Sequence, residues 1–78
     1  MNEFRNQMLI ALVNHARAHI QKHKVNVEIQ LTNATGVAEH SDHLETIEKE
    51  LAQIAHYEDQ LEVIERYFEF DGKKDLFN

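Results

Sequence analysis

This chain of 78 residues has no proline and only two glycines, which leaves two long stretches without a residue that breaks a helix. Proline breaks a helix and glycine weakens it, and the glycines stand only at Gly36 and Gly72. The stretches before them are rich in Glu, Leu, Ile, Ala and Gln, which favour helices. The pattern therefore predicts an all-α protein with two long helices and one break near Gly36.

The first stretch carries apolar residues three and four positions apart from about residue 3, which is the spacing of one helical face. These residues are Phe4, Met8, Leu9, Leu12, Val13, Ala16 and Ile20. The next segment, "VNVEIQL" over residues 25–31, is ambiguous because its apolar residues alternate with polar ones as in a half-buried strand. The chain offers no second strand to pair with it, so we favour a helix that continues to about residue 31. In that helix Val25 and Ile29 form a second apolar strip, which indicates burial on two sides and hence an oligomer.

The second helix is expected over about residues 42–70, after a turn over about residues 32–41 that includes "TNATG". Its apolar stripe consists of Leu44, Ile47, Leu51, Ile54, Leu61, Ile64 and Phe68. Asp42 and Glu45 resemble a capping box, and Ser41 is a second candidate cap. Gly72 is expected near a left-handed cap position at the other end.

The simplest architecture is one domain, residues 1–78, folded as an antiparallel helical hairpin. Two helices alone bury too little apolar surface to offset the entropy of the chain, so we expect a helical-bundle homo-oligomer. Leu76 and Phe77 near the end of the chain are expected either to dock on a neighbouring subunit or to fray.

Composition narrows the class of protein further. The chain has no cysteine, and therefore no disulfide or thiolate metal site. The run "MLIALV" is too short to span a bilayer, so we expect a soluble protein with no membrane partner. The net charge of −6 combines +2 over residues 1–31 with −8 over residues 32–78, so non-specific nucleic-acid binding is not expected.

A basic run in the first helix, "HARAHIQKHK" over residues 15–24, is the best candidate for a ligand site. Arg17, Lys22 and Lys24 could neutralise a phosphate, and Asn26 could read polar groups beside it. The alternative is a basic surface that pairs with the acidic second helix of the same or another chain.

Histidines recur four residues apart at His15, His19 and His23, a spacing at which two imidazoles can bind a divalent metal. His40 and His43 form a second cluster at the start of the second helix. The alternative is that all are surface or capping histidines, and we favour it over metal binding through His19, His23, His40 and His43.

Two pairs of acids three residues apart, Glu45 with Glu48 and Glu62 with Glu65, have the spacing of the magnesium ligands in all-α nucleotide pyrophosphatases. The remaining acids of that motif are absent, so a solvated acidic face is the favoured interpretation. Nucleophilic catalysis is not expected, since the only serine is Ser41 and there is no glycine-rich phosphate loop. We expect no enzyme and no cofactor.

Three segments resemble a group of small proteins encoded by tailed bacteriophages of marine and aquatic bacteria. They are "HIQKHKVNVE", "GVAEHSD" and "LETIEKELAQIAHYEDQLEVIERYF", and together they span His19 to Phe68. The resemblance implies phage origin and expression in the cytoplasm of a bacterial host, and it carries no assigned activity. The polar positions that match the pattern are His19, Lys22, His23, Lys24, Asn26, Glu28, Gly36, Glu39, His40 and Asp42, and with Arg17 they form the predicted ligand site.

The expected function is therefore a non-enzymatic phage protein that binds a host molecule, with a host protein or a small phosphorylated ligand as partner. Its most specific form is an anti-defence protein that sequesters a nucleotide-like signal. Viral sponges for cyclic-nucleotide signals are also small helical-hairpin oligomers, a likeness of architecture only. An accessory protein of virion structure or assembly is the alternative, and a metal-dependent nucleotide hydrolase is third.

Overall fold

The computed structural model describes residues 2–32 and 40–78, with the backbone alone at residues 40 and 41. Helix α1 spans Glu3–Thr32, α2 spans His40–Tyr67 and the short α3 spans Lys73–Leu76. α1 and α2 pack against each other as an antiparallel hairpin, and no described residue lies in a strand. The predicted all-α hairpin is confirmed.

Helix α1 is continuous from its cap to Thr32. Asn2 caps its start, because the Asn2 side-chain oxygen accepts a hydrogen bond of 3.1 Å from the backbone N–H of Arg5. Residues 25–31 lie within this helix, so the helical interpretation of "VNVEIQL" is correct and the strand alternative is wrong. In the helix Val27 is half-buried while Val25 and Ile29 are exposed, which a two-residue alternation along a strand would not produce.

Helix α2 begins at His40, two residues before the expected start. Asp42 therefore lies in the first turn, where its backbone carbonyl accepts a hydrogen bond from the Thr46 hydroxyl at 2.8 Å. At the other end α2 stops at Tyr67, and Gly72 adopts the left-handed conformation expected of it, with a φ of 85°. Gly72 caps the start of α3 instead of the end of α2.

The two long helices meet along one row of residues each, in which the spacing alternates between three and four. All members of the row on α1 are buried or half-buried: Asn6, Leu9, Val13, Ala16, Ile20, His23, Val27 and Gln30. The facing row on α2 is His43, Ile47, Glu50, Ile54, Tyr57, Leu61 and Ile64, and none of these is exposed. We call these the inner rows. Their 3.5-residue period is that of a short coiled coil.

The apolar core lies at the end of the hairpin that carries the chain's C-terminal segment. Val13, Ile64 and Phe70 form its buried centre. Leu76 and Phe77 pack against this centre within the same chain, so neither expected outcome, docking on a neighbour or fraying, describes them. Arg5 and the buried Asn6 hold this end, because the Arg5 guanidinium donates to the Glu69 carbonyl at 2.6 Å and the Asn6 amide donates to the Asp71 carboxylate at 2.9 Å.

Candidate functional site

Away from the apolar core, polar side chains occupy several positions of the inner rows. Glu50 extends from α2 towards α1 and accepts two hydrogen bonds on one carboxylate oxygen. His23 donates through Nδ1 at 2.6 Å, and the Asn26 amide donates at 3.0 Å. The side chains of His23 and Glu50 keep only 12% and 20% of their surface exposed, so the pair is partly withdrawn from water. We call these three residues the Glu50 cluster.

Tyr57 of α2 lies against the histidine ladder of α1. Its ring stacks on His19 with centroids 4.5 Å apart and an angle of 18° between planes. The rings of His15 and His23 lie 5.9 and 6.5 Å from Tyr57, and His15 and His19 are 4.4 Å apart. We call these four residues the histidine–tyrosine stack. The ladder that suggested a metal site is thus part of the contact between the helices.

In each of these two polar groups the pKa of one residue is lowered, that of Glu50 in the Glu50 cluster and that of His19 in the histidine–tyrosine stack. The pKa of Glu50 is lowered first by the hydrogen bond from His23 and then by that from Asn26, because each favours the carboxylate form. The pKa of His19 is lowered first by partial burial and then by the neighbouring charges of Lys22, His15 and His23. His19 Nδ1 is buried and has no hydrogen-bond partner among the described residues.

A further histidine contact holds the other end of the hairpin. His43 Nε2 donates to the backbone carbonyl of Gln30 in the last turn of α1. The last four carbonyls of a helix have no partner within it, so a side chain from the facing helix can satisfy one of them. The contact joins the end of α1 to the beginning of α2.

The structure separates the predicted ligand residues into two groups. His19, His23 and Asn26 turn inward and contact α2. Exposed residues form the second group, and they are Arg17, Lys22, Lys24, Glu28 and Asp42. Arg17 contacts the C-terminal segment, with its guanidinium carbon 5.2 Å from the centre of the Phe77 ring. Gly36, Glu39 and the side chain of His40 lie outside the described residues.

Within the part of the chain that the structure describes, no group of three or more His, Asp or Glu residues is placed to hold a metal ion. The paired acids Glu45, Glu48, Glu62 and Glu65 are all exposed on α2. Glu62 contacts Arg66 at 3.6 Å in an exposed pair one helical turn apart, a contact of small energetic weight.

Sequence reasoning missed Glu50 and Tyr57 as partners of the histidines. A signal was present, because Glu50 stands between Ile47 and Ile54 at the spacing of the apolar stripe. A charged residue at such a position is expected to find a polar partner across the helix contact. The periodicity of one helix cannot say which residues of the other helix lie opposite.

Many large apolar side chains remain outside the hairpin core. On α1 these include Phe4 (73% exposed), Met8, Leu12, Val25 and Ile29, and on α2 they include Leu44, Leu51 and Tyr67. So many exposed large apolar side chains indicate an interface with another molecule. None of the described helices has an apolar segment long enough to cross a membrane.

Comparison with protein-family models, with curated proteins and with solved structures finds no match to this chain.

Proposed function

We propose that this chain is a non-enzymatic binding protein, encoded by a tailed bacteriophage, that works as a homo-oligomer and acts on a host molecule. The observation that carries the proposal is the division of α1 into two faces. The inner row holds α2, whereas the opposite face exposes large apolar residues such as Phe4, Met8 and Ile29. The inward polar groups bind each other, so they stabilise the hairpin, and the exposed face is left for binding.

The most specific form of the proposal is sequestration of a nucleotide-like signal. Lys22 and Lys24 are exposed, and neither forms an ion pair with a residue in the described ranges. Residues 4–27 contain no acid at all, so this sector of α1 is neutral to basic. Each of the two lysine ammonium groups and the Arg17 guanidinium can form a charge-assisted hydrogen bond to a phosphate group.

A calorimetric titration tests this form with cyclic dinucleotides, cyclic mononucleotides and ADP-ribose as probes. Binding is expected to weaken as salt rises from 50 to 200 mM, because the contact is ionic. The Lys22→Ala/Lys24→Ala variant is expected to lose at least tenfold in affinity, as two charge-assisted contacts contribute about 1.5–3 kcal/mol each.

The matched control is Lys49→Ala/Lys74→Ala, which removes two exposed lysines elsewhere and is expected to bind as the unmodified protein does. An equal loss of affinity in both variants would show that binding depends on the net charge of the protein and not on Lys22 and Lys24. No heat with any probe would remove the nucleotide-like ligand from the proposal and leave a host protein as the target.

The second candidate function is an accessory role in the structure or assembly of the virion. The exposed apolar surface favours it, because assembly proteins bind copies of themselves or other particle proteins through such surfaces. Mass spectrometry of purified particles decides between the two: several copies per particle would support the virion role, and absence from particles would support the host-directed one. Nucleotide turnover with magnesium that is lost in Glu45→Gln would instead support the third candidate, a hydrolase.

A further inference from the structure

The outward face of α1 carries a second regular row of residues, which we call the outer row. Its spacing alternates four, three, four, three without a break from the first turn to the last, and every member is exposed. The row consists of Phe4, Met8, Ala11, His15, Ala18, Lys22, Val25 and Ile29. An alternation of this kind over eight positions is the pattern of a coiled-coil seam. α1 thus has one seam occupied by α2 and a second seam whose members are all exposed, although His15 also has its ring 5.9 Å from that of Tyr57 on α2.

We propose that the outer row is the surface on which a second copy of the chain docks, with the two α1 helices antiparallel. This inference rests on the proposed homo-oligomer and identifies the surface that forms it. When the second α1 runs in the opposite direction and the two helices cross between Ala16 and Arg17, each member of the row in one copy lies opposite a member in the other copy. No other antiparallel alignment of the row with itself uses all eight positions. The parallel alignment in register also uses all eight, but it places the two Lys22 residues directly opposite each other.

The antiparallel alignment matches the residues in size. Phe4 of one copy faces Ile29 of the other, and Met8 faces Val25, so the large apolar residues meet at both ends. The centre of the seam has Ala11 and Ala18, whose small side chains allow the helices to approach closely. Burial of Phe4, now 73% exposed, and of the other large residues provides the driving force.

The two polar members of the row, His15 and Lys22, each face an alanine of the second copy. Lys22 of one copy faces Ala11 of the other, where Met8, Ala11, Leu12 and His15 line a shallow groove. The aliphatic part of a lysine can lie in such a groove while its ammonium group reaches water. The two Lys22 residues of the pair are then separated by eleven helix positions, roughly 16 Å at ~1.5 Å per residue, and repulsion at that distance is largely screened at physiological salt.

The charge of the face favours a second α1 over the acidic helix α2 as its partner. Residues 4–27 contain no acid, so two such faces meet without burying a carboxylate. The exposed face of α2 has Leu44 and Leu51, but the same side carries Glu48, Glu58 and Glu62, whose desolvation would be costly.

The size of the seam indicates a reversible dimer. From Phe4 to Ile29 the row is about 38 Å long on a helix about 10 Å wide, a flat footprint on the order of 400 Å² per copy. The two copies together give roughly 800 Å², which is below the ~1,200–2,000 Å² of specific, stable interfaces and in the range of weak, reversible ones. The dimer is therefore expected to dissociate on dilution.

Engineered cysteines test the alignment directly, because the chain contains no cysteine of its own. The Met8→Cys/Val25→Cys variant is expected to form a covalent dimer on mild oxidation, since each cysteine faces the other type in the second copy. Within one chain the two positions are about 25 Å apart at ~1.5 Å per residue, too far for an internal disulfide. Met8→Cys alone and Val25→Cys alone are expected to remain non-covalent.

A double variant on the solvent face of α2, Ala52→Cys/Glu62→Cys, is the matched control for random collision and is expected to stay non-covalent. Circular dichroism of each reduced variant verifies that the hairpin is folded. Covalent dimers of Met8→Cys alone would show a parallel pair and overturn the antiparallel alignment. Lack of any dimer from the double variant, in a protein that light scattering shows to be oligomeric, would overturn the choice of surface. A monomer at every concentration would overturn the homo-oligomer as well.

Discussion

Glu50 is a charged residue on the inner row of α2, and hydrogen bonds from His23 and Asn26 compensate its carboxylate there. A carboxylate in a helix contact loses part of its hydration, and two hydrogen bonds from α1 replace it. Removing either donor leaves the carboxylate with less compensation. The Glu50 cluster is therefore a polar contact that stabilises the pairing of the helices and specifies which turns of them face each other.

Acid is expected to weaken the hairpin in two steps, each through one of these residues. His19 has a pKa below its ordinary value of 6.5 in the folded chain. As the pH falls, the unfolded chain therefore binds a proton at His19 at a higher pH than the folded chain does, and the stability of the fold decreases below about pH 6.5. Glu50 has a pKa below its ordinary value of 4.5, so its contribution is present above pH 4.5 and is lost as pH falls through the folded pKa.

The variant Glu50→Gln is expected to abolish the second step. Its melting temperature should be lower than that of the unmodified protein at pH 7, because a neutral amide accepts weaker hydrogen bonds from His23 and Asn26. Below pH 4.5 the difference between the two proteins should narrow. Thermal denaturation followed by circular dichroism from pH 3 to 7 measures both effects.

Glu58→Gln is the matched control for this experiment, since Glu58 is exposed on the same helix. Its pH profile should follow that of the unmodified protein. A Glu50→Gln profile that runs parallel to the unmodified one down to pH 3 would contradict the role assigned to the Glu50 carboxylate.

The C-terminal segment after α2 is the element that closes the hairpin at its apolar end. Phe70 is only 3% exposed and packs with Val13 and Ile64, and Leu76 and Phe77 extend the contact. The chain reaches this position by turning at Gly72, whose φ of 85° places α3 on the core. The Lys73 amide donates to the Phe70 carbonyl at 3.2 Å and completes the turn.

Gly72→Ala is expected to destabilise the protein by about 1 kcal/mol, because a side chain disfavours the left-handed conformation. An added Cβ would meet no atom within 4 Å, so the cost comes from the backbone alone. Gly72→Asn should cost less than Gly72→Ala, since asparagine tolerates this conformation better than most residues. Urea denaturation gives both values, and a larger loss for asparagine than for alanine would contradict the backbone origin.

At the scale of the whole molecule, the hairpin is long and thin. Its extents are 57 × 20 × 16 Å and its Cα radius of gyration is 16.6 Å, against roughly 11.5 Å for a compact domain of this length. Such a shape leaves much apolar surface exposed, and only Val13, Ala16, Ile64 and Phe70 are buried apolar residues among those described. A core this small is marginal in isolation, so association with a second copy is expected to contribute to folding stability.

The melting temperature is therefore expected to rise with protein concentration. If two copies fold and associate together, a hundredfold increase in concentration stabilises the folded form by about 2.7 kcal/mol per dimer formed, which raises the midpoint by several degrees in a domain of this size. Calorimetry between about 5 and 500 μM measures the shift, and Val25→Glu on the outer row should abolish it. Val63→Glu, an equally drastic change at an exposed position of α2, is the control.

Much of the architecture could be predicted from the sequence because helix formation depends on local properties. The absence of proline, the two glycines and the three-and-four spacing are sufficient to predict two long helices, their antiparallel pairing and the continuation of α1 through residues 25–31. The second apolar strip at Val25 and Ile29 also follows from spacing alone, whereas its predicted burial requires a second molecule, since both residues are exposed in the single chain. Each of these features is a property of one helix or of one break, so neighbours in sequence determine it.

Only the tertiary structure decided which side chains meet. The histidine ladder has the spacing of a metal site in the sequence, and in the hairpin it packs on Tyr57 while His23 binds Glu50, 27 residues away. The packing of Leu76 and Phe77 on their own chain is likewise a contact that only the tertiary structure determines. The physical reason is that such contacts depend on the axial alignment of α1 and α2, which all the contacts along the inner rows set together, and no single segment of the sequence contains that information.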